Sequence, residues 1–356
     1  MPSSVDMTLA ANDRREPTPL DEHLRARAAH VATLRELVHS EPALRLAARG
    51  FDLADGAGIA KLRRNAYVEA SHMGLSSADA LILMACAVHD AAPQPPTFTL
   101  DTAAALWDLP TIGPTSSLVE YAAAPGSRGR SPNVRRRRTG LAVTSVQIGG
   151  LQVTPYERSL VDYSRHARLE SAISVCDNAL HLSFATRAEL FAELALVPKG
   201  SRGRRMAQLA IHLADALAES PLESLSRTRM FQLGLPRPQL QTKFYDHDGL
   251  IGRVDFYWPH LGLVGESDGE LKYAIPEGDS GQAAIDALLR EKRREQRLRR
   301  AQGVDDVTRW DWDAALPPTR LHAVLSASGL RSTADGGWPV PDGPLPARAF
   351  PAERLR

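Results

Sequence analysis

Residues 253–273, RVDFYWPHLGLVGESDGELKY, decide how this chain is read. Val254, Phe256 and Trp258 alternate with Arg253, Asp255 and Tyr257, the two-residue period of a strand whose faces differ. Pro259, His260, Leu261 and Gly262 supply turn chemistry, residues 263–267 resume as a second strand, and Asp268-Gly269 closes it. A turn centred near Pro259 and His260 sets Asp255 opposite residues 264–266, where cross-strand neighbours lie about 4.5–5.5 Å apart at Cβ. Asp255 and Glu266 would then reach one cation, and a divalent metal relieves the repulsion between two carboxylates held so close. The same pair would also suit a solvated strand face; the apolar neighbours favour the ion.

The flanking segments extend the pattern. Ser220-Pro221-Leu222-Glu223 opens a helix, 255–259 reads Asp-Phe-Tyr-Trp-Pro, and 264–269 reads Val-Gly-Glu-Ser-Asp-Gly. Glu291-Lys292-Arg293-Arg294 and Arg309-Trp310 follow in order. With these five motifs, residues 220–312 resemble the PD-(D/E)XK, restriction-endonuclease-like superfamily, on the branch related to very-short-patch-repair endonucleases. The resemblance implies an αβββαβ core, Mg²⁺ (or Mn²⁺) held by Asp255 and Glu266 with Asp268 beside them, and hydrolysis of a phosphodiester.

One departure matters. The superfamily's lysine, two positions after the second acid, is replaced here by Asp268. Of the 43 Lys and Arg residues five are lysine, and two of those, Lys272 and Lys292, fall within the motifs. Their compact charge and adjustable pKa make them candidates for orienting the attacking water; the plainer alternative is two surface lysines. Glu223 also has two readings. Ser220, Pro221 and Glu223 fit a capping box, which accounts for the residue by itself, whereas the resemblance implies a third catalytic carboxylate.

Residues 283–301 read as a helix, and the stretch from 290 to 300 carries seven basic and two acidic residues. Arg253, Arg290, Arg293, Arg294 and Arg297 are the candidate contacts to a nucleic-acid backbone. A solvated, salt-bridged face is the competing reading.

With 356 residues and 43% hydrophobic content, two or three domains are expected. A formal net charge of +1 excludes a globally basic protein, so nucleic-acid affinity must come from local patches. Cys86 and Cys176 have no metal-ligand spacing and are expected as buried thiols in a reducing cytoplasm. No signal peptide is legible, and the longest apolar run, 80–88, is too short to cross a bilayer, so no membrane partner is expected. No nucleophile–His–acid arrangement or glycine-rich phosphate loop is present.

Toward the start, residues 1–20 read as a disordered tail, 21–39 and 40–50 as helices, and 51–68 as a β-wing with Asp55-Gly56 as turn. The segment 61–68, KLRRNAYV, is similar to the wing of AbiEi-type antitoxins. Without a polar recognition face the module is degenerate, and a structural role is favoured over DNA reading. The segments 100–110, LDTAAALWDLP, and 151–162, LQVTPYERSLVD, resemble the central domain of the same antitoxin group. In the second, Thr154 caps a helix on which Arg158 and Asp162 pair four residues apart. Residues 126–138, with six arginines, and 199–205 read as flexible basic loops.

The expectation is an α+β, multidomain chain. It comprises the tail 1–20, a degenerate winged helix at 21–70, a mixed AbiEi-antitoxin-like central domain at 71–200, a restriction-endonuclease-like core at 201–328 and a flexible tail at 329–356. The expected activity is metal-dependent nuclease cleavage, of DNA before RNA. The rival is an AbiEi-type, DNA-binding regulator with an inactive nuclease-like domain and a nucleotidyltransferase-type toxin as partner.

Overall fold

The computed structural model describes residues 16–38, 59–63, 66–69, 75–123, 133–137, 144–269, 281–333 and 336–350. The chain is α+β and divides into two compact units, Met1–His166 with Leu182–Pro198, and Ala167–His181 with Lys199–Arg356. Among the described residues no helix is long and apolar enough to cross a membrane.

The first unit begins with α1 (Pro19–Val38), which buries Val31, Leu34 and Val38 at helical spacing. Strands β1 (Ile59–Arg63) and β2 (Ala66–Glu69) pair antiparallel; the expected second helix and the Asp55-Gly56 turn lie outside the described residues. The apolar run at 80–88 lies in α2 (Ser77–Asp90), where all of it but Ala80 and Met84 is buried; Ser76 caps the helix, its hydroxyl accepting from the Asp79 amide. There follow β3 (Thr97–Phe98), α3 (Leu100–Leu106), β4 (Val119–Ala122), β5 (Val134–Arg137), β6 (Val146–Ile148), β7 (Leu151–Val153) and α4 (Tyr156–His166). The sheet runs β5-β4-β3-β7-β6, with β3/β7 and β4/β5 parallel and the other two pairs antiparallel.

Two details differ from or refine the expectation. Part of the basic stretch 126–138 is an edge strand, β5, rather than loop. The reason is electrostatic: Glu120 on β4 takes two hydrogen bonds from Arg137, and Arg136 Nε donates to the Tyr121 hydroxyl at 2.8 Å. On α4, Arg158 Nε donates to Asp162 at 2.5 Å, the expected i,i+4 pair, while the Thr154 hydroxyl bonds that of Ser159 at 2.7 Å.

Helix α5 (Leu169–His181) joins the second unit, although it was expected within the central domain; the chain then returns to the first unit with α6 (Arg187–Leu196). The buried acids of α5 explain its allegiance. Asp177 accepts from Arg227 Nη1 and the Ser224 hydroxyl, both at 2.7 Å, and Glu170 lies 3.3 Å from Arg229. Acids this deeply buried must be paired.

The second unit continues with α7 (Arg204–Leu213), α8 (Pro221–Leu233), β8 (Gln239–Asp246), β9 (Gly249–Trp258), a 3₁₀ turn at Pro259–Leu261 and β10 (Leu263–Ser267). Helix α9 (Gly281–Leu298), β11 (Asp306–Trp310), α10 (Trp312–Ala315) and α11 (Pro318–Ala327) complete it. The sheet order is β11-β10-β9-β8, an antiparallel meander of β8, β9 and β10 with β11 parallel to β10. On one face Phe256, Trp258 and Trp310 stack, and the Trp310 indole donates to Ser226 of α8 at 2.7 Å. Gly265 makes that stack possible, since a Cβ there would lie 2.6 Å from the Trp310 ring. On the other face Phe244, Ile251, Val254, Val264 and Val307 pack with Leu298 of α9.

The segment expected as a flexible tail, 329–356, is folded against this unit as far as Phe350. Trp338 donates to the Leu235 carbonyl, Gln232 to the Ala349 carbonyl, and Phe350 stacks on Phe231. Two aromatic anchors supply core material that the Gly- and Pro-rich composition concealed.

Candidate active site

Register pairs Leu263 with Trp258, Val264 with Tyr257 and Gly265 with Phe256, so one further step sets Asp255 across from Glu266. Their carboxylates nonetheless serve different partners. Glu266, 6% exposed, belongs to the α9 side: its Oε1 accepts from Arg294 Nη2 at 2.6 Å, and Oε2 lies 2.8 Å from Arg309 Nη2. Arg309 arrives from β11, where it is the register partner of Glu266. Glu291 closes the cluster, 3.1 Å from Arg294 and 2.8 Å from Arg309, and Asp268 lies 3.6 Å from Arg309. Burial works against an ionised Glu291, yet Arg309 and Arg294 outweigh it and hold its carboxyl below the usual value. Arg294 reaches Glu266 by passing over Gly252, where a Cβ would stand 2.7 Å from its Nε.

Asp255 turns the other way. Its Oδ2 accepts from both the amide and the hydroxyl of Ser267 at 2.8 Å, and Ser267 alternates with Glu266 along β10. The two-residue period of β9 slips here. Val254 packs in the α9 core, Phe256 in the opposite aromatic stack, and Tyr257 again against the α9 core. Gln241, the residue of β8 beside the slip, carries a φ of +53°.

Glu223, in the first turn of α8, completes this second group. It accepts from the Ser220 hydroxyl at 2.9 Å and from the Glu219 amide and Gln241 Nε2, both at 3.0 Å. Ser220 caps the helix as expected, but Glu223 reaches back to Glu219 rather than to the Ser220 amide. Burial, and then the Asp255 charge, push the Glu223 pKa up against these hydrogen bonds.

The basic residues divide likewise. Arg253 lies 2.7 Å from Glu219, Arg297 2.6 Å from Asp246, and Arg294 is held by Glu266 and Glu291. Arg290, Lys292 and Arg293 are exposed on α9, and Lys272 lies outside the described residues. Among the described residues, one set of three His or acidic side chains brings its ligand atoms within 4.8 Å of one another: Asp246, His247 and Asp248, at the β8–β9 turn. The expected ligands Asp255, Glu266 and Asp268 do not form such a set. Glu266 and Asp268 are drawn to Arg309, whereas Asp255 and Glu223 are the acids set against each other, and theirs is the repulsion a cation would relieve. Ser267 and Gln241 carry no sequence signal of their own; their roles follow from the slip in β9.

No family model and no solved structure matches this chain. Two uncharacterized Mycobacterium tuberculosis proteins do: Rv2248 of strain H37Rv and MT2308 of strain CDC 1551. Each is 32% identical over 236 residues, covering 64% of this chain and 79% of the relative.

Proposed function

The chain belongs to the same family as these two mycobacterial proteins, and we propose that its second unit is a restriction-endonuclease-like, metal-dependent nuclease acting on DNA rather than RNA. The observation that carries the reading is the meeting of Glu223 and Asp255 at Gln241: this residue of β8 lies across from Asp255 and donates to Glu223, and neither carboxylate has an arginine partner among the described residues. The helix, three-strand meander, helix and parallel strand around it agree with the architecture the motifs imply.

Asp255 and Glu223 would hold Mg²⁺ or Mn²⁺, with Asp255 spending only Oδ2 on Ser267 among the described residues. When bound, such an ion polarises the scissile phosphate and lowers the pKa of a coordinated water. Ser267 fixes the orientation of Asp255, and Gln241 and Ser220 fix that of Glu223. Glu266 is a positioning residue, pinning α9 and β11 to β10 through its arginines. The exposed Arg290, Lys292 and Arg293 suit sequence-independent contact with the phosphate backbone, and Lys292 and Lys272 are the candidates for orienting water. Cys86 and Cys176, both buried free thiols, suit a cytoplasmic setting.

The test is incubation of the full chain with Mg²⁺ or Mn²⁺ and plasmid, single-stranded DNA or RNA. Nicking of DNA that Asp255→Ala and Glu223→Gln each abolish supports the assignment; cleavage indifferent to both substitutions, or none with either metal, overturns it. One observation favours a second reading: the arginine pairing of Glu266, together with Asp268 in place of lysine, suits an AbiEi-type DNA-binding regulator without hydrolytic activity, partnered by a nucleotidyltransferase-type toxin. That reading expects specific retardation of the chain's own promoter in excess random DNA, and no metal-dependent nicking.

A further inference from the structure

The ribbon formed by β8 and β9 outruns the sheet that carries it. Among the described residues β10 pairs with β9 from Phe256 to Trp258, whereas β8 and β9 stay paired out to Asp246 and Gly249. The projecting part has two unlike faces. Phe244 and Ile251 are buried in the α9 core, while the cross-strand pair Tyr245 and Leu250 stands 60% and 53% exposed on the tip. The register shifts between Phe244 and Tyr245, and such an irregularity re-aims a side chain without dissolving the ribbon. The tip is also braced. Arg297 of α9 grips both oxygens of Asp246 at 2.8 and 2.6 Å, and the Asp248 amide donates to Asp246 at 2.9 Å. The braced tip thus presents two large side chains, mostly exposed and side by side across the ribbon, as one contact surface.

Charge selects what meets it. Arg293, four residues before Arg297 on α9, and Arg300, in the turn just past the end of α9, are exposed and favour a polyanion. At the turn itself Asp246 is neutralised by Arg297 and Asp248 lies 3.3 Å from the exposed His247, so the tip carries no excess of positive charge to hold phosphate and a polyanion would meet it with its bases rather than its backbone. We propose that the β8–β9 tip is a stacking wedge: Tyr245 and Leu250 pack on unpaired bases of a nucleic-acid strand whose phosphates lie along the arginines of α9. This rests on the reading of the second unit as nucleic-acid-directed and adds to it a substrate class, strands with exposed or separable bases. The chemistry is that of aromatic side chains against base faces, which is tolerant of sequence.

The experiment is binding of the full chain to a dye-labelled single strand carrying 2-aminopurine, and to the matching duplex, in EDTA so that nothing is cleaved. Joint Tyr245→Ala and Leu250→Ala substitution should weaken single-strand binding roughly tenfold and remove the 2-aminopurine response, with a loss of less than about twofold on the duplex. Tyr245→Phe should keep both signals. Unchanged binding in the double variant, an equal loss on both probes, or no 2-aminopurine response with the unsubstituted chain overturns the wedge. Asp255→Ala keeps the nuclease reading separable: binding retained without cleavage locates hydrolysis elsewhere than stacking, and loss of cleavage alone leaves the wedge standing.

Discussion

Each unit buries a glutamate under arginines, and the two clamps are built differently. Glu120, 2% exposed on β4, takes two hydrogen bonds from Arg137 and lies 3.6 Å from Arg135, so both arginines come from the edge strand β5. Glu266 on β10 draws Arg294 from α9 and Arg309 from β11, so its clamp ties a helix and a second strand to the middle of the sheet. Beside each unit's acids lies a carboxyl driven toward neutrality: Asp101 near Glu120, and Glu223 near Asp255. In the first unit the neighbouring charge that does this is the clamped glutamate. In the second it is Asp255, which no arginine holds among the described residues. Burial of an acid therefore does not mark a site by itself; what sets the second unit apart is a couple that no arginine neutralises among the described residues.

The largest effect should fall on that couple. Asp255→Ala is expected to lower the rate of metal-dependent nicking at least about 1000-fold, on the order of 4 kcal/mol in the barrier, while Glu120→Gln leaves it unchanged. Single-turnover cleavage of supercoiled plasmid reads both; a comparable loss in Glu120→Gln would erase the distinction between the units. Next in size, Glu266→Gln should destabilise the second unit by about 2–3 kcal/mol, because two partly buried guanidinium groups lose their partner. Glu120→Gln should cost about 1 kcal/mol, since Arg135 and Arg137 are more exposed and only an edge strand is freed. Hydrogen exchange at the β10 and β4 amides separates the two.

These contrasts explain how far the residues alone could be read. The hairpin of β9 and β10 was legible because Val254 to Trp258 alternate and Pro259 to Gly262 turn; the helices α1 and α9 followed from apolar and charged periodicity, and Ser220 from capping chemistry. The partners of Glu266 were not legible, because Arg294 and Arg309 lie 28 and 43 positions away and were indistinguishable from a basic surface. The slip at Asp255 was hidden too: a strict alternation puts Asp255 and Glu266 on one face, and only packing against two different layers reveals the break. Residues 134–137 read as loop in sequence because Val-Arg-Arg-Arg lacks apolar alternation; a buried glutamate on the next strand supplies what hydrophobic residues usually do. The Trp338 and Phe350 anchors were masked by the glycines and prolines around them.

A smaller effect tests the clamp of the first unit by pH. Burial, and then the Glu120 charge, raise the Asp101 pKa to about 6 from its ordinary 3.8. The folded chain thus takes up a proton as pH falls through about 6, before the unfolded chain does. This contribution to stability is lost as pH rises through about 6 and is fully present below about 3.8. Asp101→Asn removes the titration, so the variant should exceed the unsubstituted chain in stability at pH 8 by on the order of 1 kcal/mol, with the difference shrinking by pH 5. Urea denaturation at the two pH values checks it; a difference that does not depend on pH would mean that burial and the Glu120 charge together do not raise the Asp101 pKa.

The smallest expected change in activity is the most local. Gly252 faces the shaft of Arg294, and a methyl group there would stand 2.7 Å from Nε, closer than side chains tolerate. The flexible arginine can be displaced, but Gly252 has a φ of +159°, a conformation side chains rarely adopt, so Gly252→Ala should also strain β9 at a total cost of about 2 kcal/mol, with its effect on nicking small. The displaced guanidinium would relinquish the Glu266 Oε1 contact and the hydrogen bond to the Arg253 carbonyl, while Arg309 stays on Oε2. If Glu266 only positions, Gly252→Ala should loosen α9, seen as faster exchange of its amides, with nicking reduced no more than a few-fold. If instead an oxygen of Glu266 freed from Arg294 turns to a metal, nicking should rise and the Mn²⁺ concentration needed for half-maximal rate should fall. The two outcomes differ in sign, so this one methyl group decides whether the arginine clamp of the second unit is scaffold, as in the first, or a brake on its chemistry.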